Sequence, residues 1–278
     1  MMNKNKLTAI IHNVSKDKHI SFNVLLQVYF FERFLARLVN SEYKDIFILK
    51  GGFLLSSLLG IRERSTIDMD FSISKINFNI NTIEEIISEI NKIEMKDNIS
   101  YEIKGISEIL EQSTYIGFQV SLIGKLENIK VPFSIDLATG DPITPCEITY
   151  RYHSILNDEI MEIKCYNVES VIAEKLQTIL DKKIGNSRMK DFYDIYILMK
   201  LHKDLFDPKI LNDAIKNTFD YRNTAISKED FILLLEVLVE DNEFNNRWMN
   251  FVKKNHYVEE EDFKEVKSEI IELIELID

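Results

Sequence analysis

Hydrophobic and polar positions follow two periods along this chain, and the change between them divides it. From about residue 99 to 166 the pattern is β-like. The runs ISYEIK, YIGFQVSLI, IKVPFSIDLA, EITYRY and EIMEIKCY are rich in β-branched and aromatic residues, and Asn or Gly separates several of them. From 168 onward the period is helical almost to the end, closing on an acidic amphipathic run, EEEDFKEVKSEIIELIELID. Ahead of the strands, residues 21–40 are apolar around most of a helix circumference, which predicts a buried helix. NTIEEIISEINKI (81–93) predicts an amphipathic helix that starts at Asn81-Thr82, with Glu84 and Glu85 in its first turn. The expectation is an α+β chain: residues 1–165 as helices and strands, and residues 166–278 as a helical domain.

One stretch departs from simple packing patterns. Residues 46–73 read IFILKGGFLLSSLLGIRERSTIDMDFSI. A short apolar strand at Ile46–Leu49 runs into Lys50-Gly51-Gly52, where the backbone can approach a ligand closely, and then into a helix over Phe53–Leu59. A helix N-terminus at glycines suits a phosphate. After a polar loop, Ile67–Ile73 alternates as a strand and projects Asp68 and Asp70 from one face. Two such carboxylates repel unless a cation lies between them, and a divalent metal is the natural candidate. A lone D-x-D or a lone Gly-Gly is commonplace on a solvated face. The order strand, Gly-Gly, helix, loop, D-x-D strand is what carries information. Asp136 sits late on the apolar strand IKVPFSIDLA, ahead of an Ala138-Thr139-Gly140-Asp141-Pro142 turn. Alone it reads as a strand-end cap; beside a D-x-D strand it is a candidate third carboxylate.

Composition narrows the class. The chain has 278 residues, 45% hydrophobic and 29% charged, enough for a substantial core. No apolar run is long enough to span a membrane, and the N-terminus lacks a secretory h-region. Cys146 and Cys165 show no metal-ligand spacing, so a reduced, cytoplasmic setting is expected. The formal net charge of −12 disfavours a nonspecific DNA binder, yet leaves room for RNA reached through a local basic patch.

Two helices carry a charge on their apolar faces. In VESVIAEKLQTILDK (168–182), Val168, Val171, Ile172, Leu176 and Ile179 share an arc at about 100° per residue, with Lys175 in its middle and Glu174 outside. In RMKDFYDIYILMKLH (188–202), Asp191 falls inside the apolar arc, while Lys190 and Asp194 fall toward its edge or outside. Lys175 and Asp191 therefore read either as a buried ion pair or as a polyphosphate clamp with its orienting acid. Lys175→Met separates the two: about 3–5 kcal/mol lost for a buried pair, roughly 1 kcal/mol or less for a lysine facing an open cleft.

Taken in order, Lys50-Gly51-Gly52, Arg64-x-Thr66-x-Asp68-x-Asp70-Phe71, Ile135-Asp136-x-x-x-Gly140-Asp141, Ala173-Glu174-Lys175-Leu176 and Lys190-Asp191-x-Tyr193-Asp194 resemble the motifs of the AbiEii/AbiGii toxin family. These are nucleotidyltransferase-like toxins of type IV, abortive-infection toxin–antitoxin systems, with the MenT toxins as relatives. The resemblance spans about residues 46–200. It implies a polymerase-β-like nucleotidyltransferase core followed by a helical C-terminal domain. It implies an NTP as substrate with Mg²⁺ or Mn²⁺ held by Asp68, Asp70 and Asp136, and catalysis by these acids with Lys175 and Asp191. Nucleotide binding falls to Lys50, Gly51, Gly52, Arg64, Thr66, Lys175 and Lys190. It further implies transfer of NMP to an acceptor, the 3′ end of tRNA in some relatives, and a cognate antitoxin. A monomer is expected. One departure stands out: Phe53 replaces the Thr or Ser that often follows Gly-Gly, which leaves backbone N–H groups and Ser56 or Ser57 as donors. Two alternatives stay open, a two-metal phosphohydrolase or nuclease on the same acids and a degenerate transferase fold that only binds a partner. Transfer to protein hydroxyls is a third.

Overall fold

The protein is described from a computed structural model, which covers all residues except 1, 65, 67, 75, 112–114, 158, 226, 259–261 and 278. The chain forms two compact units, Met1–Gly140 with Ile148–Cys165, and Asp141–Glu147 with Tyr166–Asp278.

The first unit contains, in order, α1 (Lys4–Lys18), α2 (Phe22–Val39), β1 (Phe47–Lys50), α3 (Gly51–Leu59), β2 (Asp68–Ile73), α4 (Ile80–Lys92), β3 (Ser100–Glu111), β4 (Tyr115–Leu126), β5 (Ile129–Ala138), β6 (Ile148–His153) and β7 (Ile160–Cys165). Its strands make one mixed sheet in the order β3-β4-β5-β2-β1-β7-β6. β2 pairs parallel to β5 and antiparallel to β1; β4 pairs antiparallel to β5. The two-residue period decides the faces. On β5, Val131, Phe133, Ile135 and Leu137 are buried, while Ser134 and Asp136 are half-buried on the other face. Met69 and Phe71 of β2 are likewise buried and alternate with Asp68 and Asp70.

Helix α2 covers the apolar face. Phe31 and Phe34 pack edge-on against Phe133, and the Phe30 ring lies so close to Gly124 of β4 that a Cβ there would sit 2.3 Å from its Cδ1. Burying this helix on nearly every side also buries Glu32, Arg33 and Arg37, and each is paired. Glu32 accepts from Tyr152 Oη at 2.9 Å, Ser154 Oγ at 2.5 Å and the Ile155 N–H at 2.7 Å. Arg37 donates to both oxygens of Asp97 at 2.9 Å, and Arg33 pairs with Glu159.

Helix α4 is capped two residues earlier than its sequence pattern predicts. Asn79, not Asn81, is its N-cap, with extended backbone and a side chain that accepts the Thr82 N–H at 3.1 Å. Asn79 stands three residues before Thr82, the spacing a capping side chain needs; Asn81 is already inside the first turn.

The second unit is helical: α5 (Val168–Lys182), α6 (Met189–Leu201), α7 (Pro208–Tyr221), α8 (Lys228–Glu240), α9 (Asn242–Lys254) and α10 (Phe263–Glu275). Phe192 of α6, Phe244 and Trp248 of α9, and Phe263 of α10 form an edge-to-face aromatic core. Segment 141–147 belongs to this unit because its polar groups are satisfied here. The Thr144 N–H donates to Ser170 Oγ at 2.9 Å, Asn167 Nδ2 donates to the Thr144 carbonyl at 2.6 Å, and Arg222 pairs with Asp141 at 2.9 Å. Among the described residues, no helix is long and apolar enough to cross a membrane.

Candidate active site

The glycines after β1 meet the acids of β2. Gly51 opens α3 at φ +67°, a conformation that favours glycine. A Cβ at position 51 would lie 2.1 Å from Asp70 Oδ2, so glycine is required on two counts. The next N–H, of Gly52, donates to that same Asp70 Oδ2 at 3.3 Å. A Cβ at Gly52 would lie 3.0 Å from both Arg64 Nη2 and Thr66 Oγ1, so these two predicted nucleotide-binding side chains border the turn. Thr66 Oγ1 also accepts the Asp68 N–H at 3.3 Å, fixing the entry to β2.

Strand register assembles the rest. Lys50 pairs across from Asp70, Asp70 from Asp136, and Asp136 from Gln119, so one row of side chains crosses β1, β2, β5 and β4 on one face. The neighbouring row holds Asp68, Ser134 and Ser121. Ser134 Oγ donates to Asp68 Oδ1 at 3.3 Å, and Gln119 Nε2 donates to Asp136 Oδ1 at 2.9 Å. The sequence-predicted Lys50, Gly51, Gly52, Arg64, Thr66, Asp68, Asp70 and Asp136 thus come together in the first unit. Gln119 and Ser134 had no sequence signal beyond being polar at alternate positions of apolar strands.

The hydroxyl question at the Gly-Gly helix has a packing answer. Phe53 is buried, stacked on Tyr152 with centroids 5.6 Å apart and edge-on to Phe31. Ser57 Oγ donates back to the Leu54 carbonyl at 2.7 Å and Ser56 is buried, so neither serine takes the place of the missing hydroxyl.

Lys175, Asp191 and Lys190 lie in the second unit. Lys175 is buried, its ammonium 2.9 Å from Asp191 and 2.7 Å from Asp194. Asp194 does not sit outside the apolar arc; it is fully buried on the face that receives the lysine, one turn from Asp191. Arg188 Nε holds the other Asp191 oxygen at 2.8 Å. Burial alone would lower the Lys175 ammonium, but Asp191 and Asp194 hold it above its ordinary value. Burial likewise would raise Asp191, but Lys175 and Arg188 pull it down to about 2. Lys190 is half-buried at the start of α6.

Among the described residues, no three His, Cys, Asp or Glu side chains converge as a self-sufficient metal site. Asp68 and Asp70 nevertheless fit a hard divalent cation that arrives with its ligand, because Mg²⁺ commonly takes one or two carboxylates and completes its shell with substrate phosphates. Both are half-buried oxygen donors on one strand face.

Two solved structures share the fold of this chain. A Helicobacter pylori protein assigned as a nucleotidyltransferase matches with a TM-score of 0.54 at 15% identity, covering 92% of this chain and 95% of that one. The JHP933 protein from Helicobacter pylori matches with a TM-score of 0.53 at 16% identity, covering 92% of each chain. The likeness is one of fold. Sequence then gives the family: residues 33–269 match the nucleotidyl transferase AbiEii toxin family of type IV toxin–antitoxin systems, and the chain belongs to it. Membership implies an antitoxin as partner. No curated protein sequence matches the chain.

Proposed function

We propose that this toxin transfers a nucleoside monophosphate from an NTP to the 3′ end of a tRNA, blocking translation as a phage-defence response. The observation that carries the reading is the contact of the Gly51–Gly52 turn with Asp70, in a row that continues to Asp136. It sets a glycine turn at a helix N-terminus against paired carboxylates, which supports transfer at a phosphorus.

The acceptor 3′-oxygen attacks the α-phosphorus, its bond to the bridging oxygen breaks, and pyrophosphate leaves. Asp68, Asp70 and Asp136 would hold Mg²⁺ or Mn²⁺, which when bound neutralises phosphate charge and acidifies the acceptor hydroxyl. Gly51 and Gly52, whose missing side chains let the backbone come close, bind the triphosphate with Lys50, Arg64 and Thr66. Asp136 takes up the proton of the attacking hydroxyl. In the helical unit Lys175 is held by Asp191 and Asp194 as a buried ion pair. A polyanionic acceptor is supported by residues 182–190, where Lys182, Lys183, Arg188 and Lys190 stand with no acid between them in a chain of net charge −12.

The test is incubation of the purified protein with total RNA and each α-³²P-labelled NTP, with and without Mg²⁺. Label appearing in tRNA from one NTP, dependent on Mg²⁺, is the expected result. Phosphate or pyrophosphate release without label in any acceptor would turn the reading to a phosphohydrolase, and label in protein would move the acceptor to a hydroxyl side chain. No turnover of any NTP would leave a binding module.

A further inference from the structure

β4 sends Phe118, Val120 and Leu122 into the core, so Gln119 necessarily emerges on the face that carries the acids. There it stands directly across from Asp136, and its amide donates to Oδ1 at 2.9 Å. A half-buried glutamine at this register has several rotamers, and the bond to Asp136 selects one that restricts the carboxylate in turn. The donor's chemistry is informative. A lysine or arginine at 119 would orient Asp136 as well, but would add a positive charge beside a carboxylate whose negative charge a metal or a departing proton needs. An amide orients without adding charge.

We infer that Gln119 is a positioning residue of the transferase site, holding Asp136 by a neutral hydrogen bond in the orientation from which it receives the acceptor's proton and the divalent cation. The inference rests on the nucleotidyltransfer reading above. Gln119 touches no reacting atom; it acts through Asp136. Outer hydrogen-bond partners of this kind are worth roughly 10–100-fold in metal affinity or activity.

Two variants test it: Gln119→Leu removes the donor at similar volume, and Gln119→Glu keeps the shape but sets a like charge beside Asp136. The first readout is Mn²⁺ affinity by electron paramagnetic resonance, with inorganic triphosphate as a base-independent nucleotide mimic. The second is the split between kcat and KM for the NTP that labels RNA. The expected result for Gln119→Leu is Mn²⁺ bound about tenfold or more weakly and kcat lowered by a similar factor, with KM and the melting temperature nearly unchanged. Gln119→Glu should lose more kcat than Gln119→Leu. Wild-type Mn²⁺ affinity and kcat in Gln119→Leu would overturn the inference while leaving the transferase reading intact. If Gln119→Leu fails to fold, wild-type Mn²⁺ affinity and kcat in folded Gln119→Glu would overturn it equally. Folded wild-type protein that binds no Mn²⁺ in the presence of triphosphate would refute the metal reading, and this inference with it.

Discussion

Lys175→Met is the sharpest probe of the helical unit. The lysine side chain is 10% exposed and its two carboxylate partners are 1% and 0% exposed, so the substitution leaves acids behind in a site with little access to water. Breaking one end of a buried pair costs about 3–5 kcal/mol. Asp191 keeps Arg188, but that arginine is 49% exposed and screened, which places the loss toward the lower half of that range. Its pH dependence has a definite sign. In the wild type the Asp191 pKa is depressed to about 2, so its contribution of about 2 kcal/mol is present above the unfolded value near 4 and disappears as pH falls through 2. The Lys175 pKa is raised, so its contribution is present below the unfolded value of about 10.4 and is lost as pH rises through the folded one. In Lys175→Met the buried acids have lost the ammonium that favours ionisation, and burial now favours the protonated form. The deficit against wild type should therefore be largest at pH 7 and shrink toward pH 5. Urea unfolding at both pH values, followed by the fluorescence of Trp248, measures this directly, since it is the chain's single tryptophan and is buried in the same unit. A loss under about 1 kcal/mol at pH 7, the value for a lysine in an open cleft, would refute the reasoning.

Three further outcomes follow from the sheet unit. Gly51→Ala would drive a Cβ into Asp70 at a backbone angle that disfavours alanine, so nucleotide incorporation should be lost and the melting temperature should drop by several degrees. Asp70→Ala should abolish incorporation and keep the melting temperature within a few degrees, because it removes one of several mutually repelling carboxylates; chelation by EDTA should silence the wild type in the same assay. Gly124→Ala would push against the Phe30 ring and cost about 1–3 kcal/mol in denaturant unfolding, with incorporation per folded molecule unchanged.

Local features of the sequence led to much of this site, and partner-dependent ones did not. The Gly-Gly turn and the D-x-D strand are legible because glycine at positive φ and a two-residue period leave marks within a few positions. Asp194 was misplaced because an apolar arc is drawn from one helix's own residues, whereas the face of α6 that receives Lys175 is defined by α5. The i, i+3 spacing of Asp191 and Asp194 was the available signal, since two acids one turn apart can share one cation. Gln119 was out of reach: its role depends on the register between β4 and β5, which a single sequence does not state. The sequence pattern reads 138–142 as a turn within a first domain of residues 1–165, yet the polar groups of 141–147 find their partners on α5, on α7 and at the C-cap of α7.

Register also sets the electrostatics of the row. Neighbouring strands lie about 4.8 Å apart, whereas residues two apart on one strand are separated by about 6.8 Å. Asp70 therefore has Asp136 as a closer neighbour than Asp68, and the more strongly opposed pair is the cross-strand one. The Gly52 N–H and the Gln119 amide each take one oxygen of that pair, while Lys50 stands next in the row on the far side of Asp70. Counting only Asp68, Asp70 and Asp136 against Lys50 and Arg64 among the described residues, the balance is negative. A triphosphate entering at Gly51–Gly52 adds more negative charge to that balance, against the dipole and N–H groups of a single nine-residue helix. These partial charges do not offset it. Binding of the nucleotide, and not only its transfer, should therefore require a divalent cation.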